Sequence, residues 1–545
     1  FIDPLSSKTS VTGSKDNNLA GDLYTTNGES LDWNSNAFLY YTRSFNKQHN
    51  LNVSAGWEAA SGTTESTNAH YRGFPSGEFH SLNYAAEVYK KPTRTENTTR
   101  RVSVLASANY TWNDIYLVDA SVRFDGSSEF GANQKWAPFF SGGLGVNIHN
   151  YDFFKSNGYI NKLKLRASYG RTGKVNFPAY AATTMYETLF DEWYITGYGA
   201  VLKALGNKDL TWEKTDKLSV GIETKTFHDR LTVDFEYYYN KTIDLVNDVT
   251  LSQTSGFSTY KDNMGQVANK GVELKLRADI YCDRNWNVAL WGNMAHNKNE
   301  ILKISDSQKA YNERVAAYYK NEALYQETLG LSHGAEYSVP LPQYEEGASL
   351  TSIWAVRSLG IDPTTGKEIF LNRDGSIADK WNAAQEVVVG NTEPKCSGAF
   401  GLNLSYKNWT LFASFLYEWG GQEYNQTLVN NVENADLVNK NVDLRVLTDR
   451  WKKPGDIAQF KDIKDRGMTT LPTSRFVQDK ALVRLNSLNV SYDFNRDWIK
   501  KHLRMNLLRL EASTSDLINW SSIKQERGLS YPRSWKVEFS LKAQF

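Results

Sequence analysis

From Ser534 to Phe545 the chain alternates apolar and polar residues almost without fault. Trp535, Val537, Phe539, Leu541, Ala543 and Phe545 fall on one face of an extended strand, and Lys536, Glu538, Ser540, Lys542 and Gln544 on the other. Side chains on a strand repeat every two residues, so the segment reads as one apolar and one polar face. A strand about 10 residues long with two such faces suits a wall between lipid and water. A soluble sandwich could use the same strand. The recurrence of the pattern along nearly the whole chain favours the wall.

Amphipathic runs come in pairs. Residues 36–45 and 51–60 flank the polar turn Asn46-Lys-Gln-His-Asn50, and residues 101–112 and 115–125 flank Asn113-Asp114, a hairpin signal. Further runs cover 136–149, 162–170, 217–227, 231–243, 267–280, 286–298, 350–360, 367–371, 398–407, 409–419, 481–494, 504–516 and 534–545, about 17 strands in all. Short connections (His228-Asp229-Arg230, Asn408) alternate with long polar and aromatic ones at 61–100, 171–216, 244–266, 299–349 and 420–480. Tight turns at one end and long loops at the other are the outer-membrane barrel asymmetry. Alternating strand directions backward from the last strand puts every short turn on the periplasmic side, provided 367–371 counts as a strand. The first visible strand then also runs downward, so an odd number of preceding strands is expected.

Charge placement agrees. In Val272-Glu-Leu-Lys-Leu-Arg-Ala-Asp-Ile280 every charged residue falls on one face, and Leu231-Thr-Val-Asp-Phe-Glu-Tyr-Tyr-Tyr239 obeys the same rule. A Lys or Arg on the lipid face at mid-depth costs roughly 2–4 kcal/mol, so the sorting is physically required. Aromatics reach 13%, with 31 Tyr and 16 Trp, as strands and interfacial girdles demand. Mean hydropathy of −0.54 is compatible with a barrel, which hides its apolar band at every second residue. No stretch approaches 18 consecutive apolar residues, which excludes a transmembrane helix only. A net charge of +1 gives no reason for a nucleic-acid partner. Cys282 and Cys396 are far apart and read as unpaired thiols.

Several segments together resemble the SusC/RagA family of TonB-dependent transporters from Bacteroidetes. They are Phe124-Asp-Gly-Ser-Ser-Glu-Phe-Gly131, Trp136-Ala-Pro-Phe-Phe-Ser-Gly-Gly-Leu-Gly145 and Leu163-Lys-Leu-Arg-Ala-Ser-Tyr-Gly-Arg-Thr-Gly173. Leu210-Thr-Trp-Glu-Lys-Thr215, Gly265-Gln-Val-Ala-Asn-Lys-Gly-Val-Glu-Leu274 and Val389-Gly-Asn-Thr-Glu-Pro394 follow in family order. The resemblance implies an all-β transmembrane antiparallel barrel of 22 strands, of which residues 1–545 would supply about 17 C-terminal strands as one incomplete barrel domain. A plug, a TonB-contacting segment and a signal peptide are expected to lie outside this chain. It further implies an importer in the outer membrane of a Gram-negative bacterium, taking up oligosaccharides with TonB energy and a SusD-like surface lipoprotein as lid. A dimer of transporter–lipoprotein pairs is expected by the same resemblance. Peptide import of the RagA type is the alternative, and a structural or adhesive barrel without energised transport is the rival from another class.

Ligand recognition needs aromatic faces and hydrogen-bonding groups. Tyr186, Phe190, Trp193, Tyr194 and Tyr198 in one long loop, Trp381 in another, and Trp419 and Tyr424 at the largest loop are the candidates. The same aromatics would equally pack loops together, form the outer girdle or touch a lid protein. No catalytic, metal or cofactor site is expected: the eight His show no ligand spacing. Gly142-Gly-Leu-Gly145 lies in a predicted strand, and Asn372-Arg-Asp-Gly-Ser376 reads as a turn rather than a calcium loop. Residues 495–502 are the one short helical candidate, with Trp498 and Ile499 at the interface and Lys500 and Lys501 in water.

Overall fold

The computed structural model describes residues 1–9, 11, 19–155, 159–195, 197–250, 259–263, 265–306, 308–310, 312–313, 343–439, 442–467, 470–494, 496–524 and 536–545. The amphipathic runs become strands β1 (Asp22–Phe45), β2 (His49–Arg72), β3 (Glu87–Trp112), β4 (Tyr116–Ser127), β5 (Trp136–Asn147) and β6 (Ile160–Lys174). A two-stranded ribbon follows, β7 (Met185–Tyr194) and β8 (Gly197–Ala204), then β9 (Glu213–Thr226) and β10 (Leu231–Ile243). A second ribbon, β11 (Val246–Thr250) with β12 (Thr259–Asn263), precedes β13 (Gln266–Cys282) and β14 (Trp286–Lys303). Next come β15 (Ser352–Ile361), β16 (Glu368–Leu371), β17 (Ile377–Ala378) and β18 (Glu386–Asn391). The chain closes with β19 (Cys396–Tyr406), β20 (Trp409–Tyr424), β21 (Val477–Asp493), β22 (Leu507–Ser515), β23 (Asn519–Ser521) and β24 (Lys536–Gln544).

Fifteen strands form one antiparallel meander, β1-β2-β3-β4-β5-β6-β9-β10-β13-β14-β19-β20-β21-β22-β24, with β23 paired to β21. Among the described residues no pairing joins β1 to β24. At the short-turn end the left-handed backbone falls on Asn46 and Lys47, on Asn113 and Asp114, on Phe227, His228 and Asp229, and on Lys407. Positive φ, at consecutive residues in all of these turns but the one at Lys407, gives them the twist that two paired strands need. Aromatics gather there as pairs: Trp112–Tyr116 at 5.2 Å, Trp286–Tyr406 at 4.2 Å and Trp409–Tyr492 at 4.8 Å.

The wall is inverted relative to a soluble protein. Val537, Phe539 and Leu541 are all exposed on one face of β24, as are Val118, Val122 and Phe124 on β4. A continuous apolar exterior of this kind is stable only against lipid. Trp535 of the expected last strand lies outside the described residues. Strands β1 to β3 run 24 to 26 residues. That is more than twice the roughly 9–11 residues needed to cross a bilayer, so they project beyond it.

Two predicted wall strands take another place. Residues 350–360 and 367–371 form β15 and β16 of a separate four-stranded sheet, order β17-β16-β15-β18. In β15, Ile353, Trp354, Ala355 and Val356 are consecutive and all buried. A strand covered on both faces carries a continuous apolar run, whereas a wall strand alternates. Removing two strands leaves the parity of the wall unchanged. The sequence Asn372–Ser376 is a turn, closed by Asn372 N donating to Ser376 O at 2.9 Å. The expected helix is Arg496–Leu503, with Ile499 fully buried and Trp498 exposed; Asn495 lies outside the described residues.

Candidate lumen wall and extracellular module

Opposite the lipid face, the wall carries hydroxyls, amides and paired charges. One register row reads Ser54, Ser107, Ser121, Ser141, Gly170, Lys217, Asn240, Asn269, Asn299 across nine strands. Its hydroxyls bond in pairs, Ser54–Ser107 and Ser121–Ser141 both at 2.7 Å. Arg166 Nη2 lies 2.9 Å from Asp234 Oδ1 and 2.6 Å from Glu236 Oε2. Arg123 reaches Glu58 at 2.9 Å and Asp125 at 2.5 Å, while Lys162 meets Glu223 at 2.6 Å. Arg509 binds Asp493 through both oxygens, at 2.6 and 2.8 Å. Each of these four cations is satisfied by neighbours on the wall itself, and the face between them presents hydroxyl and amide groups together with the charges of Lys217 and Glu273. A polar recess of about 530 Å³ has Ser219, Tyr238, Asn240, Lys217, Glu236 and Glu273 among its lining residues.

The β15–β18 sheet and the long segment between β20 and β21 build a module with an ordinary core. Leu428, Val429, Val432, Val446, Phe460 and Phe476 pack together in it. At its centre Arg475 Nη2 lies 2.9 Å from Glu368 Oε2 and 2.8 Å from Glu433 Oε1, with Glu433 fully buried. Burial opposes the charge on Arg475, but the two carboxylates outweigh it and raise the guanidinium pKa further. Lys461 beside them is pushed down by burial, against the pull of Glu433. Burial lifts the Glu386 carboxyl to about 7, opposed by a hydrogen bond from Gln343 and by the charge of Arg373. Thr473 is buried, and its Oγ1 has no hydrogen-bond partner among the described residues. Val356 N donates to Pro472 O at 3.2 Å and joins the two parts of the module, and Asn391 N donates to the Gln422 side chain on β20 at 3.1 Å and ties the module to the wall.

The eight candidate aromatics fall in three places, Phe190 lying on β7 with its side chain outside the described residues. Tyr186 on β7 is 69% exposed and Tyr198 on β8 is also exposed. Trp193 and Tyr194 close the ribbon through backbone pairing with Tyr198 and Gly197; their side chains lie outside the described residues. In the module, Trp381 Nε1 donates to Pro472 O at 2.9 Å, and Trp381 borders a pocket of about 290 Å³ with Lys461, Glu433 and Thr473. Tyr424, at the end of β20, packs edge-on against Phe476 at 6.0 Å. Trp419 sits on the outward side of the wall, opposite Ala481 and Cys396, and is 71% exposed. Arg475, Glu368 and Glu433 carried no signal in the sequence, being ordinary charges with Arg475 107 positions from Glu368 and 42 from Glu433. No group of three or more His, Cys, Asp or Glu with metal-binding geometry occurs among the described residues, and both cysteines are free.

Comparison with known proteins fits this geometry. The family model described as "TonB dependent receptor-like, beta-barrel" matches residues 5–499. TonB-dependent receptor P3 of Formosa agariphila is 28% identical over 497 residues, 89% of this chain and 48% of that protein. TonB-dependent receptor SusC of Bacteroides thetaiotaomicron is 29% identical over 253 residues, 44% of this chain and 25% of that protein. The chain spans about half the length of the curated relatives that it matches over most of its own. Among solved structures, the RagAB peptide importer in its open-open state superposes with a TM-score of 0.81 at 22% identity, over 96% of this chain and 56% of that one. That likeness bears on the fold. Apolar exterior, polar interior, tight turns at one end and the family match over most of the length lead to one conclusion: this is an outer-membrane barrel chain, and it belongs to the TonB-dependent receptor-like β-barrel family.

Proposed function

We propose that this chain forms wall and mouth of an outer-membrane importer of oligosaccharides, driven by TonB and capped by a SusD-like surface lipoprotein. The inward face carries the reading. Wall carboxylates neutralise cations such as Arg166, which meets Asp234 and Glu236, and Ser, Asn and Tyr groups make up most of the recess, beside Lys217 and Glu273. A surface of hydroxyls and amides complements a neutral, hydroxyl-rich solute better than a charged one. Exposed Tyr186 and Tyr198 on the β7–β8 ribbon supply ring faces for stacking on sugars, with Trp193, Tyr194 and Trp381 as further contacts. The plug and the TonB-contacting segment are assigned to the remainder of a full-length protein, with residues 1–545 as a single barrel domain; a pair of transporter–lipoprotein units is the proposed assembly.

The test is uptake by cells that carry the full-length gene, with and without TonB, supplied with oligosaccharides or with peptides as sole nutrient. TonB-dependent growth on oligosaccharide, with a lipoprotein co-purifying, supports the reading. Growth on peptides alone would replace it with peptide import, the activity that the RagAB structure's name gives for that protein. Tyr186→Ala with Tyr198→Ala should weaken oligosaccharide affinity roughly 30-fold, at about 1 kcal/mol for each of the two lost ring contacts.

A further inference from the structure

On the outward face, the band of apolar and aromatic residues is interrupted near the long-loop end. Following the ladder, one outward row reads Leu165, Ile222, Phe235, Leu274, Met294, and the next Ala167, Val220, Tyr237, Val272, His296. The third begins with Tyr169, Leu218 and Tyr239 but ends in Lys270 and Lys298. These two lysines stand directly opposite each other on β13 and β14, an arrangement that repels unless an anion lies between them. The nearest carboxylate, Glu300, is shared by both at 4.0 and 3.9 Å, and Lys298 remains 62% exposed.

A third cation joins them. His296 Nδ1 lies 2.8 Å from the Lys395 carbonyl oxygen, which sets Lys395 beside the top of β14. The Lys395 stem crosses Gly420, where an added Cβ would meet it at 2.9 Å, so the bare glycine lets the stem lie against the wall next to Trp419. His296, Lys298, Lys395, Trp419, Gln422 and Asp479 border a notch of about 510 Å³. Its carboxylates are engaged: Asp479 accepts from Gln422 at 3.0 Å, and Glu393 accepts from Asn297 and Asn299. Lys480 is held by Glu418 and Glu423.

We propose that this notch binds the phosphorylated headgroup of an outer-leaflet lipid. Lys298 and Lys395, which border the notch, and Lys270, beside it across from Lys298 on β13, would hold the phosphate as point charges, and the exposed Trp419 indole would cover the adjoining carbons. A lipid is favoured over a free anion by depth. Val272, Leu274 and Met294 lie directly below on the same outward face, where acyl chains would cover them.

The experiment uses the full-length protein, purified in detergent, stripped of lipid and incubated with monophosphoryl lipid A. Native mass spectrometry reads retained lipid, with phosphatidylcholine and inorganic phosphate as competitors. Lipid A retained over phosphatidylcholine, undisplaced by millimolar phosphate, and reduced at least tenfold in Lys270→Gln/Lys298→Gln/Lys395→Gln is the expected result. Unchanged gel heat-modifiability of the variant shows that it has folded; should it not fold, the wild-type competition still decides. Equal retention of the two lipids, displacement by inorganic phosphate, or full retention by the folded variant would overturn the proposal.

Discussion

The barrel wall and the extracellular module place charge in opposite positions. In the wall, Phe539 and Leu541 face outward and exposed while Arg166, Asp234 and Glu236 line the inward face. In the module, Val429, Val432 and Phe476 are buried, and so is Glu433, paired with a largely covered Arg475 at the centre of their own ion cluster. One polypeptide thus follows two rules, because different media surround its parts. Lipid penalises a charge wherever it faces outward; water penalises one only when it is taken inside without partners. The module meets that penalty by pairing one arginine with two carboxylates.

The contrast can be broken most sharply at Arg475. Arg475→Met leaves the buried Glu433 and the largely covered Glu368 without their partner, which should destabilise the module by about 3–5 kcal/mol. Protease added to intact outer membranes should then cut between β20 and β21 while the barrel keeps its gel heat-modifiability. Continued protection of that segment would show that the ion cluster does not hold the module.

On the wall, Leu276→Lys puts a charge into the apolar face and should cost roughly 2–4 kcal/mol in urea unfolding from lipid vesicles. Ser219→Lys, on the inward face, should cost far less. Equal losses would mean that the two faces have been assigned the wrong way round.

Glu386 gives a pH test confined to the module. Its carboxyl titrates near 7, above its ordinary 4.5, because burial penalises the anion. A folded pKa raised above the unfolded one gives stability that is complete below about pH 4.5 and lost as pH rises through 7. The loss should reach on the order of 3 kcal/mol, flat above pH 8, and hydrogen exchange of β18 at pH 5 and pH 8 measures it. Glu386→Gln should abolish this slope; a slope that survives the substitution belongs to another group. The smallest effect is expected at Thr473, whose buried hydroxyl finds no partner among the described residues. Thr473→Val should leave thermal stability within about 1 kcal/mol or raise it, since no hydrogen bond is lost.

The wall was legible from sequence where each strand separates two media. The charged run in β13 and the Asn113-Asp114 turn both stand as read. Legibility failed where a strand is covered on both faces. The consecutive Ile353–Val356 run lacks the alternation of a wall strand, yet its length and flanking turn counted it into the wall. The β7–β8 ribbon was hidden for the converse reason: exposed on both faces at residues 185–188 and 200–203, it has no covered apolar face to repeat. The candidate aromatics were named from their chemistry alone, which could not separate a ribbon, a module pocket and the outer rim.

The sequence by itself determined which segments extend, which face of each meets lipid and where the chain reverses. Those are local properties, fixed by a two-residue period and by the few residues that accept a positive φ. Tertiary structure alone decided which strands join the wall, that Arg475 meets Glu368 across 107 positions, and that Lys270 stands opposite Lys298. Each depends on pairing register and packing between distant segments, and a charge's partner is chosen by distance in space, which no period in the chain encodes.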